Sequence, residues 1–194
     1  MIHRATPSRP CDNPFNAQRV DAVRYIEYEY ALSEVADRLK RTQYRGAIVG
    51  PHGCGKTAML QALGDELMGH GLAPLPLFVN GDRTRGLPSE WRRIVRRARH
   101  TDALLLDGYD LLPRWARAWV FCASKRAGGV IVTSHRRVRF ATVARPTPSR
   151  VVLGRIVDEL APPLRDAIDT DALFDRAGGN LRDALRLAYD QCAG

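Results

Sequence analysis

The chain has 194 residues, 45% of them hydrophobic, which is enough for one α/β domain with a small appendage. No stretch approaches the roughly 18 apolar residues of a membrane span. Residues 1–15 lack the apolar segment of a signal peptide. These exclusions predict a cytoplasmic protein with no membrane partner. The formal net charge of +9 leaves two explanations open, a polyanionic partner or the arginine-favouring codons of a GC-rich genome.

The cysteines indicate a reducing compartment. Cys11, Cys54, Cys122 and Cys192 are scattered along the chain, with no CxxC pair and no Cys/His spacing suited to zinc. We therefore expect reduced thiols, not a disulfide framework or a structural metal site.

The predicted elements follow a polar segment, residues 1–20, that is punctuated by prolines and is expected to be a flexible or surface-hugging arm. Residues 20–30 are compatible with a short strand or with the lead-in to a helix, and residues 31–42 have helical spacing. Beyond them, short apolar runs alternate with longer helical patterns. The predicted strands are 47–49, 75–79, 103–106, 130–133 and 151–153, and the helices between them are 56–68, 89–99 and 113–125.

This alternation predicts an α/β fold, in which a parallel sheet is covered by helices on both faces. After the fifth predicted strand only helical patterns follow, at 156–160, 164–177 and 181–192. The expected organisation is therefore an arm (1–20), a core (21–155) and a small helical lid (156–194).

One glycine-rich segment, GPHGCGKT, matches GxxxxGK[ST] and lies between a predicted strand and a predicted helix. Its glycines let backbone N–H groups approach phosphate oxygens, and the helix N-terminus adds the positive end of its dipole. Lys56 would bridge the β- and γ-phosphates, and the Thr57 hydroxyl would ligate Mg²⁺. The predicted nucleotide-binding residues of this loop are Gly50, Pro51, His52, Gly53, Cys54, Gly55, Lys56, Thr57 and Ala58.

Two further strands end in polar residues. Asp107 closes the run ALLLD, a pattern that would place a carboxylate beside the metal, although a capping aspartate on a buried strand is the alternative. Thr133 and Ser134 end the next predicted strand, where polar side chains point into the ligand crevice of a parallel sheet. Either one could hold the attacking water or the γ-phosphate, and simple strand termination is the alternative.

Together these segments resemble P-loop ATPases of the AAA+/STAND group. The similar motifs are a Walker A loop at 50–57, a Walker B strand ending at Asp107, a sensor-1-like end at Thr133 and Ser134, and GGNLRDAL at 178–185, like the start of a sensor-2 helix. The resemblance implies a five-stranded P-loop NTPase sheet in the order 5-1-4-3-2 with a reduced helical lid. It also implies that ATP and Mg²⁺ are bound, that Asn80 lies near the γ-phosphate, and that Arg182 reaches the nucleotide.

The chain departs from this pattern at the catalytic acid. The family's glutamate normally follows the Walker B aspartate, but Gly108 occupies that position. Asp110 lies two residues later and could substitute for it. Water activation is therefore the open question of the sequence.

The segment 91–99 predicts an amphipathic helix with a basic face. On a helical wheel its five arginines fall within roughly 160°, opposite Trp91 and its apolar neighbours. A nucleic-acid or acidic-protein surface, Arg92–Arg99, and a merely solvated face are both compatible with this pattern. On the following helix, Trp115 and Trp119 are four residues apart and predict a core or interface stripe.

The sequence therefore favours a Mg²⁺-dependent ATP-binding P-loop ATPase, a slow hydrolase that acts as a conformational switch or motor on a protein partner or within a homo-oligomer. The alternative is a hydrolysis-deficient, ATP-dependent adaptor that binds DNA or an acidic protein. A small-molecule or nucleotide kinase shares the loop, but the helical tail favours a sensor lid.

Overall fold

The structure, a computed structural model, describes residues 12–79 and 89–193. Within these ranges five strands form one sheet in the order β2-β3-β4-β1-β5, and every pairing between neighbours is parallel. The predicted α/β class with a parallel sheet is confirmed. The strands are β1 (Arg45–Val49), β2 (Ala73–Phe78), β3 (Asp102–Asp107), β4 (Gly129–Ser134) and β5 (Ala141–Ala144).

Eight α-helices lie in the described ranges. Five of them, α2 to α5 and α8, agree with predicted helices to within a few residues. The helices are α1 (Ala17–Ala22), α2 (Leu32–Arg41), α3 (Lys56–Gly69), α4 (Ser89–Arg97), α5 (Arg114–Ala123), α6 (Arg150–Leu160), α7 (Thr170–Arg176) and α8 (Leu181–Ala193).

Helices cover both faces of the sheet because successive strand residues point to opposite sides. On one face, a Cβ on Gly64 of α3 would lie 3.0 Å from Leu105 of β3. On the other face, Trp91 and Val95 of α4 pack in one cluster with Leu104 and Leu106. Strand β4 is buried along its whole length, as expected for an inner strand of a doubly covered parallel sheet.

The predicted fifth strand was wrong. Residues 151–153 belong to α6, and β5 lies earlier, at Ala141–Ala144, paired with β1. The β-branched run at 151–152 suggested a strand, but Leu153 and Val157 are the buried residues of the segment, which is helical spacing. Strand β5 has a weak pattern because it is a short edge strand with only Val143 and Ala144 buried.

The described residues 12–26, 52–55 and 147–193 form one compact unit, and residues 27–51, 56–79 and 89–146 form a second one. The first unit has its own apolar cluster, in which Phe15 packs with residues of α6, α7 and α8. Asn13 is also buried, and its side-chain amide donates a hydrogen bond to the Tyr189 carbonyl at 2.9 Å. Residues 13 and 15 of the expected arm thus pack against the helices of this unit, and residues 1–11 lie outside the described part of the chain.

The three C-terminal helices differ in how well they were predicted: α6 is longer than the predicted 156–160, α7 is shorter than the predicted 164–177, and α8 agrees with the predicted 181–192 to within one residue. Of the segment 164–177, only Thr170–Arg176 is α-helical, because Asp169 caps α7 through the Ala172 amide at 2.9 Å. Residues 162–164 form a single 3₁₀ turn. In the part of the chain that the structure describes, no helix is both long and apolar enough to cross a membrane.

Candidate functional site

The glycine-rich loop connects β1 to α3. At its start, the Gly50 amide donates a hydrogen bond to the Ser134 carbonyl at 3.1 Å, which ties the loop to the end of β4. Gly53 and Gly55 have φ values of +68° and +85°. Glycine adopts this left-handed conformation without the strain that a side chain would bring, so the loop conformation accounts for the presence of glycine at both positions.

Lys56 begins α3 and is 8% exposed. Its ammonium group donates a hydrogen bond to the Pro51 carbonyl at 2.5 Å, so the side chain folds back over the loop. A buried ammonium needs such an oxygen partner, and phosphate oxygens would serve the same purpose. Ala58 follows in the first turn of α3 and is partly buried.

Three predicted residues meet at the carboxyl ends of β3 and β4. The Thr57 hydroxyl donates to Asp107 Oδ2 at 2.9 Å, and the Thr133 hydroxyl donates to Asp107 Oδ1 at 2.5 Å. The Gly108 amide in turn donates to Thr133 Oγ1 at 2.8 Å. The structure therefore brings Thr57, Asp107 and Thr133 into one hydrogen-bonded array.

The same geometry separates Thr133 from Ser134, which the sequence treated as equivalent. The Ser134 side chain is fully buried, donates to the Arg136 carbonyl at 2.6 Å and accepts from the Arg136 amide at 3.1 Å. Its hydroxyl thus stabilises the turn after β4. Of the two, Thr133 is the residue that contacts Asp107.

Gly108, which directly follows Asp107, has φ +81°. A Cβ there would lie 3.1 Å from Leu111 Cδ1 and 3.4 Å from Val79 Cβ. A glutamate at this position would therefore be strained in this backbone.

Asp110 makes a contact that the sequence did not predict. Its Oδ2 lies 3.1 Å from His135 Nδ1 and accepts the His135 backbone N–H at 3.1 Å. The Asp110 and His135 side chains are only 13% and 22% exposed. His135 is not among the candidate site residues that the sequence predicted, although its position directly after a polar strand end was an available signal.

The start of α8 lies beside residues 52–55 of the glycine-rich loop, within one compact unit. An ideal Cβ on Gly53 would lie 1.7 Å from Asn180 Oδ1 and 3.3 Å from the Arg182 amide nitrogen. Asn180 Oδ1 caps α8 by accepting the Arg182 amide at 3.0 Å and the Asp183 amide at 3.3 Å. Arg182 itself is exposed.

Three other predictions have mixed outcomes. Cys54 in the loop is buried. Trp119 packs against the core, but Trp115 is 57% exposed, so a core role was wrong for Trp115. Asn80 lies outside the described residues.

The predicted amphipathic character of α4 and the residues just after it is confirmed. Trp91, Val95 and Ala98 are buried. The exposed basic side chains, called the arginine face below, are Arg92, Arg93, Arg96, Arg97 and Arg99.

The oxygen groups around Asp107 fit Mg²⁺ by their chemistry, since a hydroxyl and a carboxylate are hard ligands of the kind this ion prefers. The described residues contain no cluster of three or more His, Cys, Asp or Glu that could hold a metal ion. Such a site is consistent with Mg²⁺ in phosphoryl-transfer proteins, where one or two carboxylates act together with waters and substrate phosphates.

Comparison with known proteins adds no relative: no family model matches the chain, and no curated protein sequence matches it either.

Proposed function

We propose that the protein binds ATP with Mg²⁺ and hydrolyses it slowly, acting as a conformational switch or motor on a protein partner or within a homo-oligomer. The observation that carries the proposal is the array of Thr57, Asp107 and Thr133 next to the loop that ends at Lys56. The strand order β2-β3-β4-β1-β5 supports it, because this order read from β5 is the one implied by the family resemblance.

Each part of the array has a chemical role under this proposal. The loop amides and Lys56 would bind the β- and γ-phosphates. Thr57 and Asp107 would hold Mg²⁺, which neutralises charge on the phosphates when bound. Thr133 would keep the Asp107 carboxylate oriented through its 2.5 Å hydrogen bond. Arg182 would respond to the nucleotide from the start of α8.

The test is ATP binding and steady-state turnover of the purified chain. Lys56→Ala is expected to reduce ATP affinity at least about tenfold, the loss of one charge-assisted phosphate contact of about 1.5–3 kcal/mol. The matched control is Lys40→Ala, because Lys40 is exposed on α2, and it should bind as wild type does. Unchanged binding by Lys56→Ala would refute the assignment of the loop.

The metal role of Asp107 is tested separately. Asp107→Asn keeps the shape of the side chain but removes the charge that a divalent cation needs. Nucleotide affinity should then no longer rise when Mg²⁺ is added, whereas wild-type affinity should. An undiminished Mg²⁺ effect in the variant would place the cation elsewhere.

A second candidate function, an ATP-dependent adaptor for nucleic acid, is favoured by the arginine face. Its five arginines are all exposed, and none of the ion pairs recorded for the described residues involves them. Uncompensated positive charge on one helix surface attracts polyanions through counterion release.

Salt dependence tests this alternative. Binding of fluorescent double-stranded DNA should weaken with salt, and Arg93→Gln/Arg97→Gln should reduce the slope of log K against log[salt] by about 2 if both residues contact phosphates. Arg186→Gln, an exposed arginine on α8, is the control. An unchanged slope in the double variant would exclude the arginine face as the binding surface.

A further inference from the structure

The Asp110–His135 pair is the second cluster of chemically active side chains at the carboxyl ends of β3 and β4. One carboxylate oxygen, Asp110 Oδ2, lies 3.1 Å from both the ring Nδ1 and the backbone nitrogen of His135. Two donors from one residue hold this oxygen, so the carboxylate fixes both the position of the loop and the orientation of the ring.

The backbone explains why Asp110 reaches this position. Gly108 is left-handed and begins a 3₁₀ turn at residues 109–111, which reverses the chain directly after β3. Asp110 thereby points back to the residue that follows β4. Its other oxygen, Oδ1, is buried and has no hydrogen-bond partner among the described residues, so it is available to accept a further hydrogen bond.

The location links the pair to the phosphate side of the site. His135 follows Ser134 directly, and the Ser134 carbonyl accepts the Gly50 amide at the start of the phosphate loop. Thr133, two residues before His135, contacts Asp107. The pair therefore lies at the strand end where the proposed function needs a group that activates water.

The hydrogen bond to Asp110 also determines which ring nitrogen of His135 carries the proton. When Nδ1–H donates to Asp110, the imidazole lone pair is on Nε2, which is the nitrogen that can accept a proton. The Asp110 carboxylate, whose side chain is only 13% exposed, holds the ring in this orientation, the relation that an aspartate has to histidine in catalytic triads.

We propose that His135 accepts the proton of the attacking water and that Asp110 is the positioning residue that orients and stabilises its ring. This inference rests on the proposed function. In the step, the water oxygen forms a bond to the γ-phosphorus and the bond from that phosphorus to the bridging oxygen breaks. ADP leaves with the electron pair, and the water proton passes to His135 Nε2. The Asp110–His135 pair thus supplies the base that a glutamate at position 108 would otherwise provide.

The experiment is single-turnover hydrolysis at saturating Mg²⁺-ATP, with the ATP dissociation constant measured for every variant. His135→Gln should slow hydrolysis by about 100- to 10,000-fold, the usual contribution of a general base, while affinity changes less than about threefold. Asp110→Asn should slow it in the same direction without loss of affinity. The control is His100→Ala, an exposed histidine after α4, which should leave the rate unchanged.

Chemical rescue separates catalysis from a structural role. Added imidazole should raise the rate of His135→Ala in a saturable way and should have no effect on Lys56→Ala, because only the first variant lacks the base. A wild-type rate in His135→Gln, or no rescue by imidazole, would overturn the inference while leaving ATP hydrolysis itself established. A wild-type chain that binds Mg²⁺-ATP without hydrolysing it would also overturn it, and one that binds no ATP would refute the proposed function.

Discussion

Replacing Gly53 with alanine tests the geometry of the glycine-rich loop without any nucleotide. Two costs add up at this position. A non-glycine residue at φ +68° costs about 1–2 kcal/mol. The new methyl group would also overlap Asn180 Oδ1, since an ideal Cβ lies 1.7 Å from that atom.

Asn180 must then move, and α8 loses its cap, which is worth about 1 kcal/mol. The total expected loss for Gly53→Ala is therefore about 2–3 kcal/mol. With a urea m-value of about 2–3 kcal/mol per molar, the unfolding midpoint should fall by about 1 M. The matched control is Gly154→Ala inside α6, where a Cβ meets nothing within 4 Å. It should be stabilised by about 0.5–1 kcal/mol.

A double-mutant cycle isolates the contact itself. Asn180→Gly removes the clashing side chain and should cost only a few tenths of a kcal/mol, because glycine is itself a tolerated cap. In that background Gly53→Ala should lose only its backbone strain, so the two substitutions should be non-additive by about 1 kcal/mol. Additivity within about 0.3 kcal/mol would refute the contact between Gly53 and Asn180. An unchanged midpoint for Gly53→Ala alone would refute the left-handed conformation.

Three further predictions concern other parts of the molecule. Gly108→Glu should lose about 1–2 kcal/mol in urea unfolding and gain no ATP turnover, because a side chain is strained at φ +81°; faster turnover would contradict this. Hydrogen bonding to Arg150 lowers the pKa of Asp175 below its ordinary 3.8. The difference in unfolding midpoint between wild type and Asp175→Asn should therefore be largest at pH 7 and should shrink as the pH falls through the lowered pKa. A difference that stayed constant down to pH 2 would count against the Arg150–Asp175 pair. Brief alkylation followed by peptide mapping should label exposed Cys122 before buried Cys54, and Mg²⁺-ATP should slow Cys54 further; equal rates would contradict its burial.

The sequence predicted the sheet and its flanking helices well where the hydrophobic pattern was strong. The inner strands are continuous apolar runs, and their length and flanking helices leave little ambiguity. It failed at β5, where an edge strand with two buried residues gives almost no signal and a neighbouring β-branched run gives a false one. The burial of Phe15 was also not predictable, because a single aromatic in a proline-rich segment has no periodicity to interpret.

In the candidate site, local motifs predicted the residues but not their partners. The loop and the acid after β3 each follow from a short pattern. That Thr133, not Ser134, contacts Asp107 depends on which side of β4 each residue faces, and the turn at Arg136 decides it. The contact between Asp110 and His135 was missed because the two residues are 25 positions apart in the chain.

Two features at the end of β3 have one structural cause. With φ +81°, Gly108 allows the chain to turn directly after Asp107, and the same turn disfavours a glutamate there. The turn also brings Asp110 back to the end of β4, within 3.1 Å of the His135 ring. A glutamate at 108 would be strained in the backbone that forms the Asp110–His135 pair. Under the proposed function, the absence of a glutamate at position 108 and the presence of the Asp110–His135 pair are therefore both consequences of the left-handed conformation of Gly108.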